Sequence, residues 1–427
     1  MQQIKYGKGF IMKKVLNNFD KIFLIFLYLQ PVLDVSSGVL LHFGYEITIS
    51  SAIRTLFMGL CVIYLIFYVK NKKINLYLLS LSVYFVIFSG ITIVSKGFDP
   101  LLYEVKNLLT TYYFVILLLT LVMLYKNKTF DVKNLFILYC IYLLFVFIPN
   151  ILGIGFDSYW QSKEGAVGWF LSANVVGSIL SILLPILIIY IKKINFKLII
   201  IFLINLYVIL SIGTKVPVLA FIIIISVNVL YYVICLLIKK EYKKISIILI
   251  PAVILITSAI IILPKTSFYK NIIIHINYLE EKSNGKIEPE TFIDHFIFSQ
   301  RLTFERNTRK SYKEANLLQK VFGIGYIENY ATDNVSFKTI EIDYFDVFYR
   351  HGIIGFILFF IPIIYVVINI IKKVKTLNHK NLNLLLSITL IFILALFQGH
   401  ILVTPANSIY VALILSIVYN NSLKEAC

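Results

Sequence analysis

The chain has 427 residues, 59% of them hydrophobic and only 15% charged, with a formal net charge of +18. A mean hydropathy of +0.87 excludes an ordinary soluble domain, in which roughly half the residues are apolar. The excess charge lies in short tracts between apolar segments (Lys70–Lys73, Lys192–Lys197, Lys239–Lys244 and Lys372–Lys380), as in the cytoplasmic flanks of membrane helices, so no nucleic-acid partner is expected.

The apolar segments predict an all-α polytopic membrane protein of about 12 transmembrane helices embedded in a lipid bilayer. In chain order they fall at 21–41, 52–69, 76–94, 107–125, 134–153, 169–191, 196–212, 214–238, 245–263, 352–371, 382–402 and 405–420. Basic residues mark every second gap: Lys5 to Lys14 before the first span, then Lys70–Lys73, Lys126 and Lys128, Lys192 and Lys193, Lys239–Lys244, and Lys372–Lys375. The positive-inside rule then puts both termini, 1–20 and 421–427, in the cytoplasm. The membrane domain comprises 21–263 and 352–420. Between them a polar stretch, 264–351, forms one large extracytoplasmic loop, too long to be a mere connector. From Lys265 on, that stretch carries twelve Lys/Arg and twelve Asp/Glu, and no cysteine, so no disulfide framework is expected. Helix-like patches are predicted at 290–303 and 309–320.

Ionisable groups in or beside a span are costly and therefore informative. Asp34 lies inside the first span and Arg54 opens the second; they pair with each other or meet substrate. Asn174, in the sixth span, makes a helix–helix hydrogen bond or a substrate contact. Lys215 stands at the outer start of the eighth span, against the charge trend. Gln398 and His400 lie near the outer end of the eleventh, and His400 reads as an interfacial residue. In the loop, Glu305 and Arg309 have the spacing of an ordinary helical ion pair. Arg301, flanked by Phe298, Leu302 and Phe304, is the better candidate for an inward-facing cation. Glu341, Asp343 and Asp346 bring three carboxylates to the edge of the tenth span. They serve as a catalytic and substrate-binding cluster or as a hydrated helix start. Zinc signatures, phosphate-binding loops and serine-hydrolase elbows are absent, so no cofactor and no metal site are expected.

The chain resembles the O-antigen ligase and polysaccharide polymerase family of bacterial membrane glycosyltransferases. The resemblance covers the layout of nearly the whole chain and a series of short motifs in order. These are Gln30-Pro31-Val32-Leu33-Asp34, Ser172-Ala173-Asn174, Gly213-Thr214-Lys215, Gln300-Arg301, Val321-Phe322-Gly323-Ile324-Gly325, and Glu341 followed by Gly352-Ile353-Ile354-Gly355. Family ligases carry arginine where this chain has Lys215. They carry histidine eleven residues before the first glycine of the last motif, where this chain has Glu341; His351 does not fit that slot. The resemblance implies an undecaprenyl-diphosphate-linked glycan donor, a glycan acceptor, and metal-independent inverting transfer at the outer face of the cytoplasmic membrane. Glu341, or failing it Asp343, would be the base. Arg301 and Lys215 would neutralise the leaving diphosphate. Asp34, Arg54, Asn174 and Asp346 would contact substrate. A polysaccharide flippase and other assembly proteins are candidate partners. Two other classes remain open: a lipid-linked oligosaccharide flippase or transporter, and a non-catalytic scaffold of an assembly complex.

Overall fold

The computed structural model describes residues 17–45, 48–124, 129–159, 163–190, 196–243, 245, 261–282, 288–327, 340–374 and 376–424. Among the described residues it is all-α, with no strand beyond one bridge between Asp157 and Ala166. The membrane helices are α1 (Phe19–His42), α2 (Ile49–Tyr64, ending in a π turn at Leu65–Val69), α3 (Lys72–Lys96), α4 (Leu101–Leu124), α5 (Val132–Ile151), α6 (Ala173–Tyr190), α7 (Phe196–Ile212) and α8 (Lys215–Ile238). After the polar segment come α13 (Asp343–Lys373), α14 (His379–Phe397) and α15 (Pro405–Lys424). Nine described helices have the length and apolar composition to cross a bilayer, and α7 and α15 are shorter apolar helices. The expected span over 245–263 lies almost wholly outside the described residues. So do the basic positions Lys126, Lys128, Lys192 and Lys193.

Helices α4 and α6 form the inside of the bundle, with most of their surface buried, whereas α3 and α8 turn most of theirs outward. Outward residues such as Ile222 and Leu230 of α8 are aliphatic, as a lipid-facing surface requires. Buried amides fasten helix to helix. Asn228 of α8 and Asn383 of α14 donate to each other's side-chain oxygens at 2.9 Å, satisfying groups that hydrocarbon would leave unpaired.

The described residues of the polar segment form four helices: α9 (Ser267–Lys282), α10 (Pro289–Phe292, continued by a π turn at Ile293–Ile297), α11 (Arg301–Glu314) and α12 (Leu317–Phe322). The expected helical patch over 290–303 is broken at Ser299 and Gln300, both left-handed (φ 53° and 68°). Helix α9 was not expected from the sequence, although Phe268, Ile272, His275 and Leu279 recur at helical spacing and Phe268 and Leu279 are buried.

The Gly323-Ile324-Gly325 turn crosses the kink of α13 at Gly352, where φ is 66°. A Cβ on Gly323 would overlap the carbonyl of Arg350, and one on Gly352 would come 2.5 Å from the Gly323 nitrogen. Glycine is required on both sides of this crossing because the backbones touch. Polar contacts lock it: Lys96 donates to the Ile324 carbonyl at 2.6 Å and pairs with Glu104 at 2.7 Å. Glu104 accepts from the backbone nitrogens of Tyr326 and Ile327. This crossing fixes where α13 begins and hence where Glu341 stands.

Candidate active site

A cavity of about 470 Å³, within the usual range for a small-molecule site, opens at the end of the bundle where α8 begins and α14 ends. Its polar rim carries Lys163, Lys215, His275, Arg301 and Glu341; its other walls are apolar, with Leu219 and Ile223 from α8 and Leu390 and Leu394 from α14. Lys215 is the first residue of α8, Arg301 the first of α11, and Glu341 stands two residues before α13. Asn174 also lines the cavity; its carbonyl accepts from the Gln398 side chain at 2.9 Å.

Glu341 is held from three directions. The Nε and Nη2 of Arg301 donate to its Oε2 at 3.1 and 2.8 Å. His400 brings Nε2 to 3.7 Å from Oε1. Its backbone is left-handed (φ 61°), as is that of His400 (φ 58°), and a Cβ on Gly399 would fall on the Glu341 carbonyl. Such backbone strain in non-glycine residues persists only where the surroundings enforce it, and it gathers at functional sites. Burial would push the Glu341 carboxyl up, but His400 and the Arg301 guanidinium outweigh it and hold the carboxyl below its ordinary value. Burial opposes the charge on His400, while Glu341 and Asp343 favour it, and the net effect raises the imidazole.

Asp343 and Asp346 do not line this cavity. Asp343 is 1% exposed, and its carboxylate accepts from the backbone nitrogens of His400, Ile401 and Leu402 at 2.6, 2.9 and 2.7 Å. It shapes the turn between α14 and α15 and has no free face toward a substrate. Asp346 pairs with the buried Arg350 at 2.7 Å, one helical turn away. Asp34 and Arg54 form an ion pair at 2.6 Å, with Gln30 accepting from the Arg54 Nε and Tyr142 donating to Asp34. This joins α1, α2 and α5 away from the cavity, which corresponds to the helix-pairing alternative.

Lys215 donates to the carbonyl of Phe296 at 2.7 Å and lies 3.5 Å from the centre of that ring. No carboxylate neutralises it among the described residues. Sequence reasoning missed Lys163, Asn271 and His275 altogether, because only the folded chain brings them beside Lys215. It underrated His400, whose importance comes from the Gly399 contact and not from local spacing. Two residues that line the cavity, Thr214 and Gln398, each carry a buried oxygen, Oγ1 and Oε1, with no hydrogen-bond partner among the described residues. Among the described residues no group of three or more His, Cys, Asp or Glu side chains gathers in a way that could hold a metal ion.

No curated protein matches the sequence. A family model described as "O-antigen ligase like membrane protein" matches residues 16–294 and 286–425. Those segments run over most of the chain and contain every residue of the cavity, and the chain therefore belongs to the O-antigen ligase-like membrane protein family.

Proposed function

We propose that this protein is a metal-independent, inverting glycosyltransferase. In this reading it polymerises or ligates cell-surface polysaccharide from an undecaprenyl-diphosphate-linked glycan at the outer face of the cytoplasmic membrane. Family membership supports a polysaccharide-joining enzyme. The observation that carries the reading to the site is the form of the cavity: a rim with one carboxylate and several cations, continuous with an apolar groove between α8 and α14. A lipid-linked sugar has the matching form, with a charged diphosphate between a polar glycan and a hydrocarbon chain.

In the reaction an acceptor hydroxyl attacks the anomeric carbon from the face opposite the diphosphate. The new C–O bond forms as the bond to the diphosphate oxygen breaks, which inverts the carbon. Glu341 takes the hydroxyl proton; its ionised form is the one its neighbours favour. Arg301 orients Glu341 through Nε and Nη2 and keeps N–H groups on Nη1 and Nη2 for the developing negative charge. Lys215 adds a point charge on the same rim. The positive charge that a metal would supply is thus provided by side chains.

A carrier would keep its polar site near the bilayer midplane, whereas these residues stand at helix ends. Glycan profiling of a deletion strain tests the reading. Accumulation of single lipid-linked repeat units is expected for a polymerase, and of long lipid-linked chains for a ligase. An unchanged surface glycan and lipid-linked pool would overturn it.

A further inference from the structure

The cavity has a second cationic pole that no motif announces. Lys163 and Lys215 line it together, and neither has a carboxylate partner among the described residues. Lys163 is close enough that, after burial and Lys215, its charge helps to lower the His275 imidazole to about 4. Lys215 is the first residue of α8, a helix of 24 residues whose unpaired N–H groups and dipole favour an anion. The residue at its N-cap position, Thr214, is 5% exposed, and its hydroxyl neither caps the helix nor finds any other partner. The first N–H groups of α8 therefore lack a side-chain cap at the end of the helix that Lys215 begins.

One side chain holds these pieces in place. Asn271 of α9 accepts from the Glu164 backbone nitrogen at 2.8 Å and donates to the Glu164 carbonyl at 2.6 Å and the Gly213 carbonyl at 3.0 Å. It thereby fixes the residue after Lys163 and the residue before Thr214. Gly213 takes φ 76° at this junction, and a Cβ there would meet the Glu164 carbonyl at 2.6 Å.

We infer that Lys163, Lys215 and the opening N–H groups of α8 form the seat of the donor's diphosphate, and that Asn271 is the positioning residue that holds Lys163 beside the start of α8. This rests on the glycosyltransferase reading and deepens it: Arg301 serves chiefly the base, and the leaving group sits at the α8 pole.

The test is binding of undecaprenyl diphosphate to the purified full-length protein, with undecaprenol as the uncharged control. Wild type should prefer the diphosphate. Lys163→Ala should weaken that binding by roughly 10-fold, the scale of one charge-assisted contact, and leave undecaprenol binding unchanged. Lys163→Arg should restore most of it. Asn271→Asp keeps the acceptor and loses both donors, so it should raise KM for the donor more than it lowers kcat. Adding Lys163→Ala to Asn271→Asp should cost less than the sum of the two, a coupling that a merely structural role would not produce. Diphosphate binding by Lys163→Ala equal to wild type would overturn the inference and leave the enzyme reading standing. A wild type that does not distinguish the diphosphate from undecaprenol would overturn the donor reading as well.

Discussion

In the proposed mechanism Glu341 is the base, and its environment sets a pH dependence. With its carboxyl held below the ordinary range by His400 and Arg301 against burial, the ionised base persists into mild acid. Activity should be present above the Glu341 pKa and lost as pH falls through it. Stability behaves in the same sense: a depressed folded-state pKa contributes stability that is lost as pH falls through that value. His400→Gln removes a neighbouring imidazolium and should move the acid limb of kcat/KM to higher pH. A limb that stays in place would show that His400 does not act on Glu341. The identity of the base was legible in part. Glu341 and Asp343 are two residues apart, and spacing alone cannot say which one faces a substrate. The left-handed backbone at Glu341 and the helix start at Asp343 separate the two, sending one carboxylate to Arg301 at the cavity and the other to the backbone of residues 400–402.

At the scale of elements, the site is assembled by crossings that need glycine. Gly399 permits the turn after α14 to press against Glu341, with φ 66° and no room for a Cβ. Gly399→Ala should destabilise the protein by about 2 kcal/mol or more, because the residue is strained and the backbones collide. Gly90 lies inside α3, where an added Cβ would meet nothing within 4 Å. Gly90→Ala should therefore be neutral or mildly stabilising. Thermal unfolding of both variants in detergent checks the contrast, and equal midpoints would remove the argument. Most membrane helices were legible from apolar runs, since length and hydropathy are local properties. Helix α9 was not, because one apolar face on a short polar helix gives a weak signal beside the spans. Lys163 and Asn271 were invisible for a related reason: each matters only through Glu164 and Gly213, remote in sequence and joined by hydrogen bonds that no spacing reveals.

For the whole molecule, the lysine pattern predicts α9 to α12 outside the cell and both termini inside. In a cysteine-free background, a membrane-impermeant maleimide applied to intact cells should label Asn307→Cys and spare Lys72→Cys and Lys243→Cys. Labelling of Asn307→Cys and Lys243→Cys from the same side would contradict that orientation. In the proposed function, the polar rim of the cavity between α8 and α14 would meet the donor's glycan and diphosphate, and its apolar groove the lipid chain.

The most direct test of the central claim is transfer by purified protein from an undecaprenyl-diphosphate-linked glycan to a glycan acceptor, in excess EDTA. Wild type and Glu341→Gln should be compared at matched folding. Wild type should form the longer or transferred glycan without added metal. Glu341→Gln, which keeps the size and polarity but cannot take the proton, should turn over roughly 100-fold more slowly, the scale of lost general-base catalysis, with donor binding preserved. Equal turnover by the two proteins, or a wild-type activity abolished by EDTA and restored by Mg²⁺, would contradict the account.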